Sequence, residues 1–338
     1  MVDSASMNAF ELTRRLIEIE SITENEKGVA FFLREYLAGL KYEVTLEEAA
    51  PGRFNVRALA GQPDLVFSTH IDTVPPYIAF REDEEFLYGR GACDAKGILA
   101  AQIEAAERLR ASGQTCLGLL FVVGEERNSA GAIHANQKPP GSRFLIDGEP
   151  TDNRLAVGSK GSLRAEIVTR GKAAHSAYPH MGESAILKLL DVLAEIRQMG
   201  LVPDSVLGET TCNIGVVEGG TKANVVPDYA RAEIMFRVAE PVAGIKARLE
   251  AIAQGRAEVR YLFEVPIVRM RVVEGFETTV VSYTSDVPFL SRWGEPYLLG
   301  PGSILDAHTD HERISKKQLL EGVDLYVRLA TRLLTGAG

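Results

Sequence analysis

Three short apolar runs constrain this chain more than any other feature: LVFSTH at 65–70, CLGLLFVVG at 116–124, and FLIDGEP starting at 144. Helical patterns separate them. Residues 96–112, KGILAAQIEAAERLRAS, carry apolar side chains at helical spacing and stop at Gly113. Apolar strands alternating with helices predict an α/β fold whose sheet is mixed, mostly parallel and covered by helices. Two helices, 7–20 and 26–39, and two strands, 42–48 and 54–60, precede the first run.

The pattern changes near Gly158. From there the reading is strand 162–169, helix 182–199, strands 209–217 and 229–238, helix 241–254 and strand 257–264. That βαββαβ order predicts a ferredoxin-like unit, a small sheet with two helices on one face. Mixed α/β character then returns, and the chain closes with a helix over 315–335. A length of 338 residues suits about two domains. Residues 1–158 and 265–338 are expected to form one domain, with 159–264 inserted into it.

An apolar fraction of 46% is ample for a full core. A net charge of −9 and the lack of any Lys/Arg-rich run argue against nucleic acid as a partner, since phosphate binding needs clustered cations. They argue equally against an anionic membrane surface. No apolar run approaches the ~20 residues of a membrane span. The opening MVDSASMNAFELTRRLIEIES has no basic segment leading into an apolar one, so no signal peptide is expected. Cys93, Cys116 and Cys212 form no C-x-x-C pair. They read as reduced thiols in the cytoplasm, packed as small buried hydrophobes.

In an open parallel sheet, ligands bind just beyond the carboxyl ends of the strands. Acids and a histidine collect there. LVFSTH ends in His70, with Asp72 two residues on; CLGLLFVVG leads into Glu125 and Glu126; FLIDG leads into Glu149. Asp94 lies in GRGACDAKG, a glycine-rich turn before the 96–112 helix. Each has an ordinary explanation when taken alone. H-x-D pairs arise by chance, acids complement helix dipoles, and Glu149-Pro150 suits a turn. Four segments converging on one edge outweigh these. Side chains in His-x-Asp need not face the same way, yet Asp72 can support the far ring nitrogen of His70 from a turn. Adjacent glutamates diverge, so one of the pair can bind metal while the other works as a general base. Two ions ~3.5–4 Å apart can share a carboxylate and a water. Mixed His and carboxylate ligands suit zinc, cobalt or manganese.

STHIDTVPP, YGRGACDAKG, VVGEER and DGEPT, followed by GKAAHSAYPHMGESAI, GGTKANVVPDYARAEIMFR and GPGSILDAHTDHERI, resemble the M20 family of metallopeptidases over nearly the whole chain. That family includes acetylornithine deacetylases, succinyl-diaminopimelate desuccinylases, aminoacylases and carboxypeptidases. The resemblance implies a zinc-exopeptidase-like catalytic domain with two divalent metals, zinc foremost and cobalt or manganese as alternatives. It also implies an inserted lid that usually dimerises. His70 and Glu149 would hold the first metal, Glu126 and His308 the second, and Asp94 would bridge them. Glu125 would be the general base and Asp72 the support for His70. From the lid, His175 would help hold the oxyanion, reaching the partner subunit's site, while Asn224 and Arg237 would grip the substrate. The planar fork of an arginine can hold an α-carboxylate bidentately. A strand-edge surface arginine is the ordinary alternative for Arg237.

The activity implied is removal of an acetyl or succinyl group from an N-acyl-L-amino acid by a metal-bridged water. A dipeptidase or carboxypeptidase with the same core is the alternative, and a non-catalytic dimeric binding protein the remote one. A complete ligand set opposes the last. The expected partners are a small-molecule substrate and a second copy of the chain. His134, His180 and His311 receive no role. His308 is chosen over His311 on the motif, because a spacing of three lets either residue face one way on a helix. Glu183, in GESAI, departs from the asparagine common in the family.

Overall fold

The computed structural model describes residues 7–336. They form two compact units. The first runs up to Val157 and takes in Met270–Thr279 and the segment from Ser285 onward; the second is Gly158–Arg269 with Val280–Thr284.

The first unit carries a six-stranded sheet in the order Glu43–Ala50, Arg53–Ala60, Leu117–Val122, Leu65–His70, Phe144–Asp147, Glu295–Leu298. Its last four strands are mutually parallel, and its first two join antiparallel. Leu65–His70 and Leu117–Val122 are buried along their whole length, because both faces of the sheet are covered. Alternate residues serve each face. Leu65, Phe67, Leu119, Phe121 and Ile146 join the main core. Val66, Leu120, Val122 and Leu145 pack with Ala132, Ala135 and Trp293 on the other side.

Helix Lys96–Ala111 is buried on nearly all sides. Its small residues Gly97, Ala100, Ala101, Ala105 and Ala106 let helices Ala9–Ile17 and Lys316–Thr335 pack closely against it. Asn8 opens the first helix with a capping box: its side chain accepts from Phe10 N and Glu11 N, and Glu11 reaches back to Asn8 N. That helix stops at Ile17, short of the expected residue 20. Ser315 caps the last helix, and Gly336 ends it at φ +70°. The strand Glu295–Leu298 has no sequence signal. It forms at the sheet edge, beside Phe144–Asp147, where Pro296 is tolerated.

Phe67 is fully buried at the centre, its ring 5.6 Å edge-on from that of Tyr326. Phe67→Ala is expected to cost about 3–5 kcal/mol. Urea unfolding would show this as a lower midpoint at unchanged slope.

The second unit follows the βαββαβ order: strand Gly161–Arg170, helix Ala185–Gln198, strands Thr211–Gly219 and Tyr229–Val238, helix Val242–Ala253, strand Glu258–Val265. Its sheet runs Thr211–Gly219, Tyr229–Val238, Gly161–Arg170, Glu258–Val265, all antiparallel. Leu163, Ala165, Ile167, Ile234 and Phe236 pack on Leu189, Val192, Ile245 and Leu249 of the helices. The alternate positions Arg164, Glu166, Arg231 and Glu233 form an ion-pair network instead. This unit reaches beyond the expected 159–264, because Val268–Arg269 pairs antiparallel with Gly158–Ser159.

Of the cysteines, Cys93 is buried, Cys212 half-buried and Cys116 exposed. The expectation of three buried thiols fails at Cys116, which precedes the strand Leu117–Val122 instead of lying within it. Among the described residues, no helix is long and apolar enough to cross a membrane.

Candidate metal centre

Three neighbouring parallel strands deliver the site. His70 ends the central one. On one side Leu117–Val122 runs out to Glu125 and Glu126; on the other Phe144–Asp147 runs out to Glu149. Gly124 makes the first exit at φ +81°, where a Cβ would stand 2.9 Å from Arg53 Nη2. Only glycine suits that turn.

Asp72 fastens the same turn. Its Oδ1 accepts from Gly124 N at 2.9 Å and Glu125 N at 3.2 Å, and its Oδ2 from Glu126 N at 3.3 Å and Thr23 Oγ1 at 2.9 Å. The expected support of His70 takes a different form. His70 Nδ1 is 2.9 Å from the main-chain carbonyl of Asp72 and 3.6 Å from the carboxylate. A ring donating from Nδ1 to a carbonyl leaves the Nε2 lone pair free to face a metal.

Asp94 occupies the centre. Its Oδ1 lies 2.9 Å from His70 Nε2 and its Oδ2 lies 3.3 Å from His308 Nε2. The cap of the following helix is Ala95, with no side-chain bond, so helix capping does not account for Asp94. His308 Nε2 is also 3.1 Å from Glu126. His70, Glu125 and Glu149 each offer an atom within 4.8 Å of the others, and so do His70, Asp94 and Glu126. His308 stands at φ +60°, a left-handed conformation uncommon outside glycine and met at functional sites. It lies in a turn, not a helix, and both it and His311 are exposed. His134 is half-buried on helix Ala130–Ala135.

Four carboxylates crowd two imidazoles here, and the titration behaviour reflects it. Burial pushes Glu125 well up, helped by Asp286, Glu126 and Asp94 and opposed by His70. Burial likewise raises Glu149, with Glu125 and Asp94 adding to it, and Glu126, with Asp94 adding to it. Burial opposes ionisation of Asp94, yet His308 and His70 hold its carboxyl well below the usual range. Burial also opposes a charged His70, but Asp72 and Asp94 raise it well above its ordinary value. Asp94 and Glu126 raise His308 to about 10.

A metal held by His308 needs that ring neutral. With His308 as a ligand, binding at pH 7 expels its proton, and affinity at that position rises with pH until about 10. His70 and the raised carboxyls add to the count, so calorimetry in two buffers of different ionisation enthalpy is expected to show about one proton more released by wild type than by His308→Ala. Equal release by the two would mean that His308 is not a ligand.

The second unit holds the remaining expected residues. His175 pairs with Val225 in a two-residue ladder, and Ser176 N donates to the Asn224 carbonyl at 3.1 Å, so His175 and Asn224 are neighbours. Both are exposed. Arg237 lies opposite Ser162 and Thr211 on an interior strand, not at a sheet edge. Glu183 pairs with Lys188 at 2.7 Å.

Among the described residues, five buried acids have no place in the sequence analysis: Glu26, Asp147, Glu240, Asp286 and Glu312. Burial raises Asp286 to about 7, with Ser129 and His70 opposing. Nothing in FLID, TSDV or DHER separates a buried acid from an exposed one.

A mostly parallel sheet whose strand ends bring one imidazole and three acids beside a carboxylate from a loop and a second imidazole from a turn is the setting of a metal-dependent hydrolase with a candidate two-ion centre. Comparison with known proteins agrees. The chain belongs to peptidase family M20/M25/M40, which its residues 66–332 match. A peptidase M20 domain-containing protein of Schizosaccharomyces pombe is 38% identical, over 96% of this chain and 84% of its own length. A probable carboxypeptidase of Aspergillus flavus is 37% identical, over 97% and 90%. The fold is similar to the crystal structure of a Staphylococcus aureus tripeptidase, with a TM-score of 0.79 at 24% identity, covering 95% and 96% of the two chains. The chain is accordingly a hydrolase of amide C–N bonds and a metallopeptidase by family.

Proposed function

We propose that this chain is a two-metal peptidase that cuts the amide bond to the α-amino group of an amino acid bearing a free carboxylate. Short peptides are the first substrate class. N-acyl-L-amino acids carrying acetyl or succinyl are the second; they place the same leaving amine in the same position. The name carried by the 37%-identical Aspergillus relative supports that order.

One observation carries the reading: Asp94 turns one oxygen to each of two imidazoles. The donor set fits two divalent cations, because its four carboxylates outnumber its two imidazoles and Asp94 and Glu149 lie buried, where unbalanced negative charge is costly. His70 and Glu149 would hold one ion, Glu126 and His308 the other, with Asp94 between them. Such ions, zinc first and cobalt or manganese as alternatives, supply polarisation of the scissile carbonyl and activation of water.

The chain's own residues move the proton. Glu125 lies within the cluster of His70 and Glu149, and its raised carboxyl suits it to hold a proton. It takes a proton from the attacking water and returns it to the departing amine. Asp72 keeps Glu125 in place through the Gly124 turn. Substrate-holding roles for His175, Asn224 and Arg237 and a homodimer belong to this proposal and rest on the motif resemblance; a cytoplasmic setting belongs to it too and rests on three cysteines that form no C-x-x-C pair.

The test is a hydrolysis panel of dipeptides, tripeptides, N-acetyl and N-succinyl amino acids, with and without chelator. Release of a C-terminal amino acid from peptides, abolished by chelator and restored by Zn2+, is the expected result. Turnover confined to N-acyl amino acids would move the second class to first. Turnover indifferent to chelator would overturn the metal role.

A further inference from the structure

Glu312 is a buried acid whose bonds converge on the loop that carries Asp94. Its Oε1 accepts from three consecutive-loop amides, Gly91 N at 3.0 Å, Cys93 N at 3.1 Å and Asp94 N at 3.1 Å. Its Oε2 accepts from Arg90 Nη1 at 2.6 Å, and its main-chain carbonyl accepts from Gly89 N at 3.1 Å. Residues Gly89–Asp94 are thus wrapped around one side chain. Arg90 is itself buried and donates from Nε to the Pro76 carbonyl at 3.1 Å. The buried charge is therefore paired and its lone pairs are filled, the condition under which a buried ion pair holds geometry.

Glu312 stands four residues after His308. Two segments distant in sequence, one carrying Asp94 and the other His308, are pinned to each other by this carboxylate. A second tie, Cys93 Sγ to the Ser303 carbonyl at 3.2 Å, joins the same two segments. The His308 turn needs such ties because its backbone sits at φ +60°, a conformation that persists only where surroundings impose it. The first metal position is built differently. His70 and Glu149 follow adjacent parallel strands whose ladder sets their spacing without Glu312.

We propose that Glu312 is the positioning residue of the second metal site: by gathering the Gly91, Cys93 and Asp94 amides it sets the gap between the Asp94 carboxylate and the His308 ring. This rests on the two-metal reading above. A carboxylate accepts three amides and a guanidinium more strongly than a neutral amide can, and groups that orient metal ligands affect metal affinity about 10–100-fold. The effect is unequal. It falls most on the site of Asp94, Glu126 and His308, where both tied segments supply a ligand, and less on the one held by His70 and Glu149, which has only Asp94 in common with it.

Full-length wild type, Glu312→Gln, Glu312→Asp and His308→Ala are dialysed against graded free Zn2+, and bound metal is counted, with a thermal melt of each. Wild type is expected to take up two ions. Glu312→Gln should weaken the first ion no more than a few-fold and the second about 10–100-fold, approaching His308→Ala at the second. Glu312→Asp keeps the charge but shortens the reach, and should weaken the second ion about tenfold. Unchanged affinity for both ions in Glu312→Gln overturns the proposal, and so does an equal loss at both sites, which is what a merely structural role would produce. Should Glu312→Gln not melt cooperatively, Glu312→Asp decides by the same criteria. Fewer than two ions on wild type would instead overturn the two-metal reading.

Discussion

Glu125→Gln is expected to lower kcat by about 10²–10⁴ while both metals stay bound. The substitution keeps the shape of the side chain and removes its ability to take a proton. Glu149, its neighbour in the cluster, is held by the first ion in this reading, and the other acids are otherwise engaged. Asp94 is engaged by His70 and His308, Glu126 faces His308, and Asp72 is consumed by the main chain of the Gly124–Glu126 turn. KM should move little, because the lost interaction belongs to the transition state. The check is steady-state kinetics on a peptide substrate together with metal analysis. A variant of full activity would remove Glu125 from the mechanism. A variant that lost its metals would make Glu125 a ligand, a role its proximity to His70 and Glu149 allows on geometry alone.

Asp94→Asn should behave in the opposite way. An amide offers one neutral oxygen where the carboxylate turns one charged oxygen to each imidazole. Both ions should be lost or greatly weakened, and activity with them. The electrophilic contribution of bound metal is several kcal/mol, so kcat/KM should fall by about 10³ or more. The fold should survive, since the bonds of Glu312 to this loop are to main-chain amides that the substitution leaves unchanged. Near-wild-type thermal unfolding of the metal-free variant beside that of the metal-free parent would show that the loss is local. Two bound ions in Asp94→Asn would contradict the bridging role.

Much of the architecture is legible in the chain because burial on both faces leaves an unbroken apolar signature. The strand at 65–70 has the bounds its sequence suggests, and the helix from Lys96 ends within one residue of its expected place. The four-residue strand Glu295–Leu298, with a proline, is too short to carry any period. The metal-ligand candidates are legible because strand ends in a parallel sheet are places of convergence, and the structure brings His70, Asp94, Glu125, Glu126, Glu149 and His308 together.

What pattern does not convey is direction. Asp72 spends its carboxylate on the Gly124–Glu126 turn, 3.6 Å from His70 Nδ1, and brings its main-chain carbonyl closer to that ring, at 2.9 Å, a distinction of side chain against main chain that spacing does not encode. His308 and His311 are equivalent on a helix, and a left-handed turn separates them here. Glu312 and Asp286 resemble ordinary surface acids in sequence, because their burial is imposed by elements far away along the chain. The ordinary alternative for Arg237, a strand-edge surface residue, falls once strand order puts it on an interior strand of its sheet.

The most direct measurement is the number of divalent ions bound per chain in the active protein, counted by elemental analysis after dialysis at fixed free Zn2+ and paired with the activity of the same sample. The account predicts two ions per chain, with hydrolysis lost on chelation and regained as the second ion returns. Full hydrolytic activity with one ion per chain, or with none, would contradict it.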